Sequence, residues 1–138
     1  MTRSRRNRKR TTMKSSKKVN YVCAIPSYGR CHEITTKTLP CLKKAKVPRS
    51  IIHVFVASSK EEKLYRDTLD PKTYGKIIVG KKGLVQQRRY ISQYFPVNTH
   101  IVSMDDDVQN VVRLKKNKLV KKTNLDSFFK RAFRKLRS

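Results

Sequence analysis

"KIIVGKKGLVQQRRYISQYFPVNTHIVSMDDD", residues 76–107, holds a complete strand–helix–strand pattern. "KIIVG", residues 76–80, is an apolar run of strand length, and Gly80 with Gly83 gives a flexible turn. Leu84, Arg88, Ile91 and Phe95 then fall near one face of a helix. "HIVSM", residues 100–104, is a second strand, and it runs directly into Asp105, Asp106 and Asp107. Parallel neighbours in a sheet need a crossover of this length.

Upstream the same alternation repeats. "YVCAI", residues 21–25, reads as a buried strand closed by Pro26 and Gly29. In the segment that follows, Ile34, Leu39 and Leu42 have roughly helical spacing, and Pro40 should kink it or end a first piece. "IIHVFVA", residues 51–57, is the clearest strand, after which Ser58 or Ser59 can cap a helix reaching Leu69. Ser59 with Glu62 fits the capping-box pattern. Four strands alternating with three helical segments predict an α/β fold with a mostly parallel sheet and helices on both faces. In such sheets a ligand lies beyond the carboxyl ends of the strands, where residues 26–30, 57–59, 80–83 and 105–107 all fall.

The charge is distributed unevenly. The chain has 138 residues and a net charge of +26, from 35 Lys and Arg against nine Asp and Glu. Residues 1–18 hold nine Lys and Arg with no acid and almost nothing apolar, the composition of a disordered arm. Residues 113–138 hold eleven against Asp126 alone. There Leu125, Phe128, Phe129, Ala132, Phe133 and Leu136 can form the stripe of an amphipathic helix, with Asp126 at its N-cap. The reading by domains is therefore a basic arm at 1–18, a folded unit at 19–112 and a basic segment at 113–138. Such a chain is drawn to polyanions by counterion release, and nucleic acid is the expected partner; a solvated tail or a nuclear-localisation signal would use the same residues.

Three cysteines without a C-x-x-C pair point to an intracellular, reduced protein that is not secreted. Cys31, His32 and Cys41 lack a fourth ligand for a common zinc site. No apolar run approaches the roughly 20 residues of a membrane span, so no membrane partner is expected.

The triplet places a third of the acids side by side in a very basic chain. Alternation along a strand sends Asp105 and Asp107 to one side and Asp106 to the other. Two carboxylates so placed repel each other unless a positive group sits between them. Mg²⁺ or Mn²⁺, which take carboxylate, phosphate and water oxygens, meets that need, and Arg30, Lys81, Lys82, Arg88 or Arg89 can share the charge of a diphosphate. A solvated acidic turn is the plain alternative.

"IPSYGR" after the first strand, "YGKIIVGKKGLVQQRRYI" and "HIVSMDDDV" together resemble the TET-associated glycosyltransferases, phage, viral and eukaryotic relatives within the GT-A class that include the glucosyltransferase of base J. The resemblance spans roughly residues 20–112. It implies a Rossmann-like GT-A fold and metal-dependent transfer of a sugar from a UDP-sugar to hydroxymethylated bases in DNA. By that match "DDD" corresponds to the D-x-D motif, with Asp107 on the metal and Asp105 on the metal and the ribose or donor sugar. Pro26, Ser27, Tyr28 and Arg30 would line the nucleotide pocket. Gly83 would lead the turn into a helix carrying Arg88.

Only about 30 residues follow Asp107, too few for the acceptor half of a GT-A enzyme, and no general base is legible. The expectation is a truncated form or a donor-binding half, completed by a partner or by self-association. The reading from another class is a non-catalytic, basic nucleic-acid-binding protein with a relic transferase fold. A nuclease or phosphotransferase would need further carboxylates, and residues 71–104 contain none.

Overall fold

The computed structural model describes residues 20–109, 111–115, 118–121 and 124–137, so the basic arm at 1–18 lies outside the described residues. Strands β1 (Tyr21–Pro26), β2 (Ile52–Val56), β3 (Lys76–Val79) and β4 (His100–Ser103) form one sheet in the order β3-β2-β1-β4. All three pairings are parallel. The fold is α/β and Rossmann-like. The connection after β1 holds α1 (Cys31–Glu33), a π turn (Ile34–Thr38), α2 (Leu39–Lys44) and a 3₁₀ turn (Arg49–Ile51). Helix α3 (Ser59–Thr68) and a second 3₁₀ turn (Pro71–Thr73) join β2 to β3, and α4 (Leu84–Tyr94) joins β3 to β4. A hairpin of β5 (Val112–Lys115) and β6 (Lys118–Lys121) precedes α5 (Leu125–Arg137).

Strand order explains why helices cover both faces. Right-handed crossovers from β1 to β2 to β3 leave their helices on one side, and the return crossover from β3 to β4 puts α4 on the other. On the first face Ile34, Leu42 and Tyr65 pack on Cys23, Ile25 and Val54. On the second, Ile91 packs on Ala24 and Phe55. Phe55 also meets Tyr90, Tyr94 and Phe95 edge-on at 5.5–6.2 Å. Residues 23–25 and 54–55 thus alternate between two cores, as a strand buried on both faces must.

The segment boundary expected at Pro40 takes the form of a π turn. The Leu39 N–H donates to Ile34 O, five residues back, and this widened turn accommodates Pro40, which has no N–H to give to the turn before it.

Helix α5 belongs to the same core. Leu125 is 1% exposed and joins the first-face cluster, with Phe129 packed against it. Its N–H donates to Ala45 O at 2.9 Å. Phe133 stacks on His100 at 4.5 Å and lies 6.1 Å from Tyr21, the residue paired with His100 where β1 and β4 begin. Only part of the predicted stripe is covered: Phe128 and Leu136 are 43% and 76% exposed. Asp126 is not the N-cap. Asn124 is, accepting from the Ser127 N–H at 3.0 Å. Asp126 sits inside the first turn, accepts from the Tyr21 hydroxyl at 2.7 Å and pairs with Lys130 at 3.2 Å. Burial, together with that carboxylate acceptor, raises the Tyr21 phenol far above its ordinary range.

Among the described residues, no helix is long and apolar enough to cross a membrane.

Candidate functional site

Chain direction across the sheet reverses between β1 and β4, and a cleft of about 440 Å³ opens beyond the ends of these strands. This is the topological switch point, where the connections leaving two adjacent strands part to opposite faces and leave a crevice. One wall comes from the loop after β1, with Pro26, Ser27, Tyr28 and Arg30. Asp105, Asp106 and Asp107 follow β4. Lys81, Lys82, Gly83, Leu84 and Gln87, from the turn after β3 and the start of α4, form the opposite wall, and Ala57 after β2 also lines the cleft. All four segments placed at this edge by the sequence contribute to the cleft.

The aspartates lie beyond the end of β4, in a turn rather than in the strand, so it is their contacts and not strand alternation that divide them. Asp105 and Asp107 are exposed, while Asp106 is only 7% exposed. Asp106 accepts from Ser27 Oγ at 2.8 Å and from Arg30 Nε at 3.0 Å. Because the single Ser27 proton is given to Asp106, the contact of 2.7 Å between Ser27 Oγ and the Tyr65 hydroxyl must have Tyr65 as donor. The Tyr65 oxygen in turn accepts from the Arg30 N–H at 3.1 Å. Desolvation raises the Tyr65 phenol, which keeps it a donor here. Arg30 Nη2 also reaches Asp107 Oδ2 at 3.3 Å, so the chain itself supplies a positive group beside Asp106 and Asp107. Thr38, brought in by the π turn, fixes the loop from beneath: it donates to Asp105 O at 2.7 Å and accepts from the Val108 N–H at 2.9 Å.

The opposite wall is built on Gln87. Its Oε1 accepts from the Lys81 N–H at 2.8 Å, and its Nε2 donates to Val56 O at 3.1 Å, tying the start of α4 to the end of β2. A Cβ on Gly80 would land on the Gln87 carboxamide, which is why glycine stands there. Gly83 has φ +98°, a conformation that L side chains rarely adopt. No side chain caps the α4 N-terminus. Its buried face is Gln87 and Ile91, whereas Leu84 is 58% exposed and Arg88 is exposed and absent from the cleft lining. The expected grouping of Arg88 with Ile91 is corrected by one position. A helix turns 100° per residue, and the polar residue that faces the sheet is the one with backbone partners there. Arg89 is likewise exposed and outside the lining.

Of the two serines expected to cap α3, one does so, and the capping-box pairing of Ser59 with Glu62 does not form. Ser58 is the N-cap, accepting from the Glu61 N–H at 3.3 Å. Glu61 accepts from the Ala57 N–H at 2.9 Å and the Gly29 N–H at 2.6 Å, joining the loops that follow β1 and β2. Glu62 instead pairs with Arg66. Across the cleft mouth, Lys82 Nζ lies 5.7 Å from the centre of the exposed Tyr28 ring.

The residues missed by sequence reasoning are Thr38, Tyr65 and Gln87. Each carries a polar group inward from an otherwise ordinary helical pattern, and no spacing rule announces that. Among the described residues, no three His, Cys, Asp or Glu side chains converge as a metal-holding group. The chain matches no protein-family model, no curated protein and no solved structure.

Proposed function

We propose that the cleft binds the diphosphate of a nucleotide-sugar, a UDP-sugar, with a divalent cation, and that the chain is a glycosyltransferase or its donor-binding half. The observation that carries this reading is the opposition of two walls at the switch point: exposed Asp105 and Asp107 on one, Lys81, Lys82 and an uncapped helix N-terminus on the other. An anion alone would be repelled by the first wall and a cation alone by the second; a metal diphosphate satisfies both. Two carboxylates completed by phosphate and water oxygens are an ordinary donor set for Mg²⁺ or Mn²⁺, so these residues fit the ion. When bound, the cation offsets the charge that develops on the departing diphosphate.

The chain's own groups do the rest. The first N–H groups of α4 have no helical partners and are suited to receive an anion, with Lys81 and Lys82 beside them in the lining. Arg30 keeps its shorter contact to buried Asp106, while its longer contact to exposed Asp107 yields to a ligand. The Arg30–Tyr65–Ser27–Asp106 chain holds the loop after β1 in place, so Asp107 needs no rearrangement of the backbone to become available. DNA as acceptor rests on the resemblance in the three motifs and on the charge of +26.

The test is calorimetric titration of UDP-glucose into the full chain with Mn²⁺ and with chelator, in about 0.3 M salt to suppress diffuse charge binding. Binding is expected only with the metal, and Asp107→Asn should abolish it while leaving DNA binding nearly intact. Metal-independent binding, or none, would refute the reading. The charge of +26 favours a second one, a basic nucleic-acid-binding protein whose fold is a relic. That reading predicts salt-sensitive DNA binding indifferent to Asp105 and Asp107, with no nucleotide-sugar affinity.

A further inference from the structure

At the opposite end of the sheet a second concavity, of about 190 Å³, opens where β2 begins. Lys43 of α2, Arg49 of the first 3₁₀ turn and Lys72 with Thr73 of the second line it, over Val47 and Ile52. We infer that this concavity is a binding site for a backbone phosphate of a polynucleotide, separate from the cleft and independent of the transferase reading. It lies about 16 Å away along β2, at 3.3 Å for each of that strand's five residues.

Three cations from three elements converge here, with no acid in the lining. None of them takes part in the ion pairs found among the described residues, which use Arg30, Arg66 and Lys130. Solvated lysines spread apart, and cations gathered in one hollow repel until an anion enters. Arg49 is also preorganised. Its Nη1 donates to Pro71 O and Tyr74 O, both at 3.3 Å, which fixes the guanidinium and leaves the rest of its planar fork for a ligand. The two walls are locked together: the Gly75 N–H donates to Ile52 O at 2.9 Å, and a Cβ on Gly75 would sit 2.7 Å from Ser50 O. The hollow is smaller than the roughly 300 Å³ at which small-molecule pockets begin, so it suits a phosphate group rather than a whole nucleotide. Exposed Lys44, Lys46 and Lys76 on adjoining segments continue the positive surface beyond it, as a polymer requires and a single free phosphate does not.

The test is an amide NMR titration of the full chain with a single-stranded DNA of about ten nucleotides, and separately with inorganic phosphate, in about 0.3 M salt. Lys43→Gln with Lys72→Gln is compared with Lys60→Gln with Lys63→Gln, which removes two exposed charges from α3 instead. We expect DNA to shift the amides of Lys43, Arg49, Lys72 and Thr73. The first pair of substitutions should weaken that local binding about fivefold or more, with the second pair leaving it within about twofold. Asp107→Asn should not change these shifts, so failure of the cleft reading leaves this one standing. Silent amides with both probes, or equal weakening in both double variants, would overturn the site. Shifts with phosphate and none with DNA would overturn its assignment to a polynucleotide.

Discussion

Replacing Asp106 with Asn leaves Ser27 Oγ and Arg30 Nε facing a carboxamide that accepts at only one of its two ends. Because Arg30 is partly exposed, the cost is that of a spoiled buried hydrogen-bond group rather than a bare buried charge, about 1–3 kcal/mol in urea denaturation. Asp107→Asn, at an exposed position, should change stability by no more than about 0.5 kcal/mol while removing metal-dependent nucleotide binding. The pair separates structural from ligand-binding roles within one dipeptide. His53 supplies a pH prediction. It is 9% exposed, with Nδ1 donating to Ile51 O at 2.8 Å and its ring edge-on to Phe95, and desolvation lowers its pKa from the ordinary 6.5. Between the lowered folded value and 6.5 the unfolded chain binds a proton that the folded chain does not, so stability rises with pH through that window and falls as pH drops below 6.5. Urea midpoints at pH 7.5 and 5.5 should show this fall, and His53→Gln should show less of it.

At the scale of the element, the α4 N-terminus depends on a turn that has no room for a side chain at Gly80. Gly80→Ala should drive the Gln87 carboxamide off the Lys81 N–H and Val56 O, costing about 1–3 kcal/mol and weakening diphosphate binding. Gln87→Ala in the same background should add little further, because the bonds it removes are already broken. Additive losses in the double variant would show that Gly80 acts by another route. The capping of α3 belongs here too. The sequence allowed Ser58 or Ser59, and the choice falls on Ser58 because that places Glu61 where two backbone N–H groups from separate loops need an acceptor.

For the whole molecule, α5 completes the first-face core. Leu125→Ala should cost about 2–5 kcal/mol, measured by the shift of the denaturation midpoint, since Leu125 is buried among residues from β1 and α2. A loss within experimental error would mean that the helix docks only weakly. Equal loss of signal from both sheet faces on heating would show that the two cores unfold as one unit.

Much of this architecture was legible in the chain. The central runs at 21–25 and 51–57 announce themselves because a strand buried on both faces must be apolar throughout, while the edge runs at 76–80 and 100–104 are less buried and are marked by their short apolar stretch; the spacing of all four leaves room for crossovers. The aspartate triplet and the loop at 26–30 were recognisable as one edge because the carboxyl ends of parallel strands all lie together. What periodicity cannot express is a polar side chain that turns inward to meet a distant partner. Tyr65 reaches Ser27 across 38 residues, Thr38 reaches Asp105 across 67, and Gln87 reaches Val56 across 31. Asp126 is the same case: its job is set by Tyr21, 105 residues away, and not by its place at a helix start. The α/β order, the parallel sheet and the edge where the cleft opens follow from local hydrophobic pattern and were readable in the chain. Which aspartate is buried, which residue of α4 turns inward and where Lys43, Arg49 and Lys72 meet depend on the folded chain, because hydrogen bonds and charges act between groups that come together only on folding.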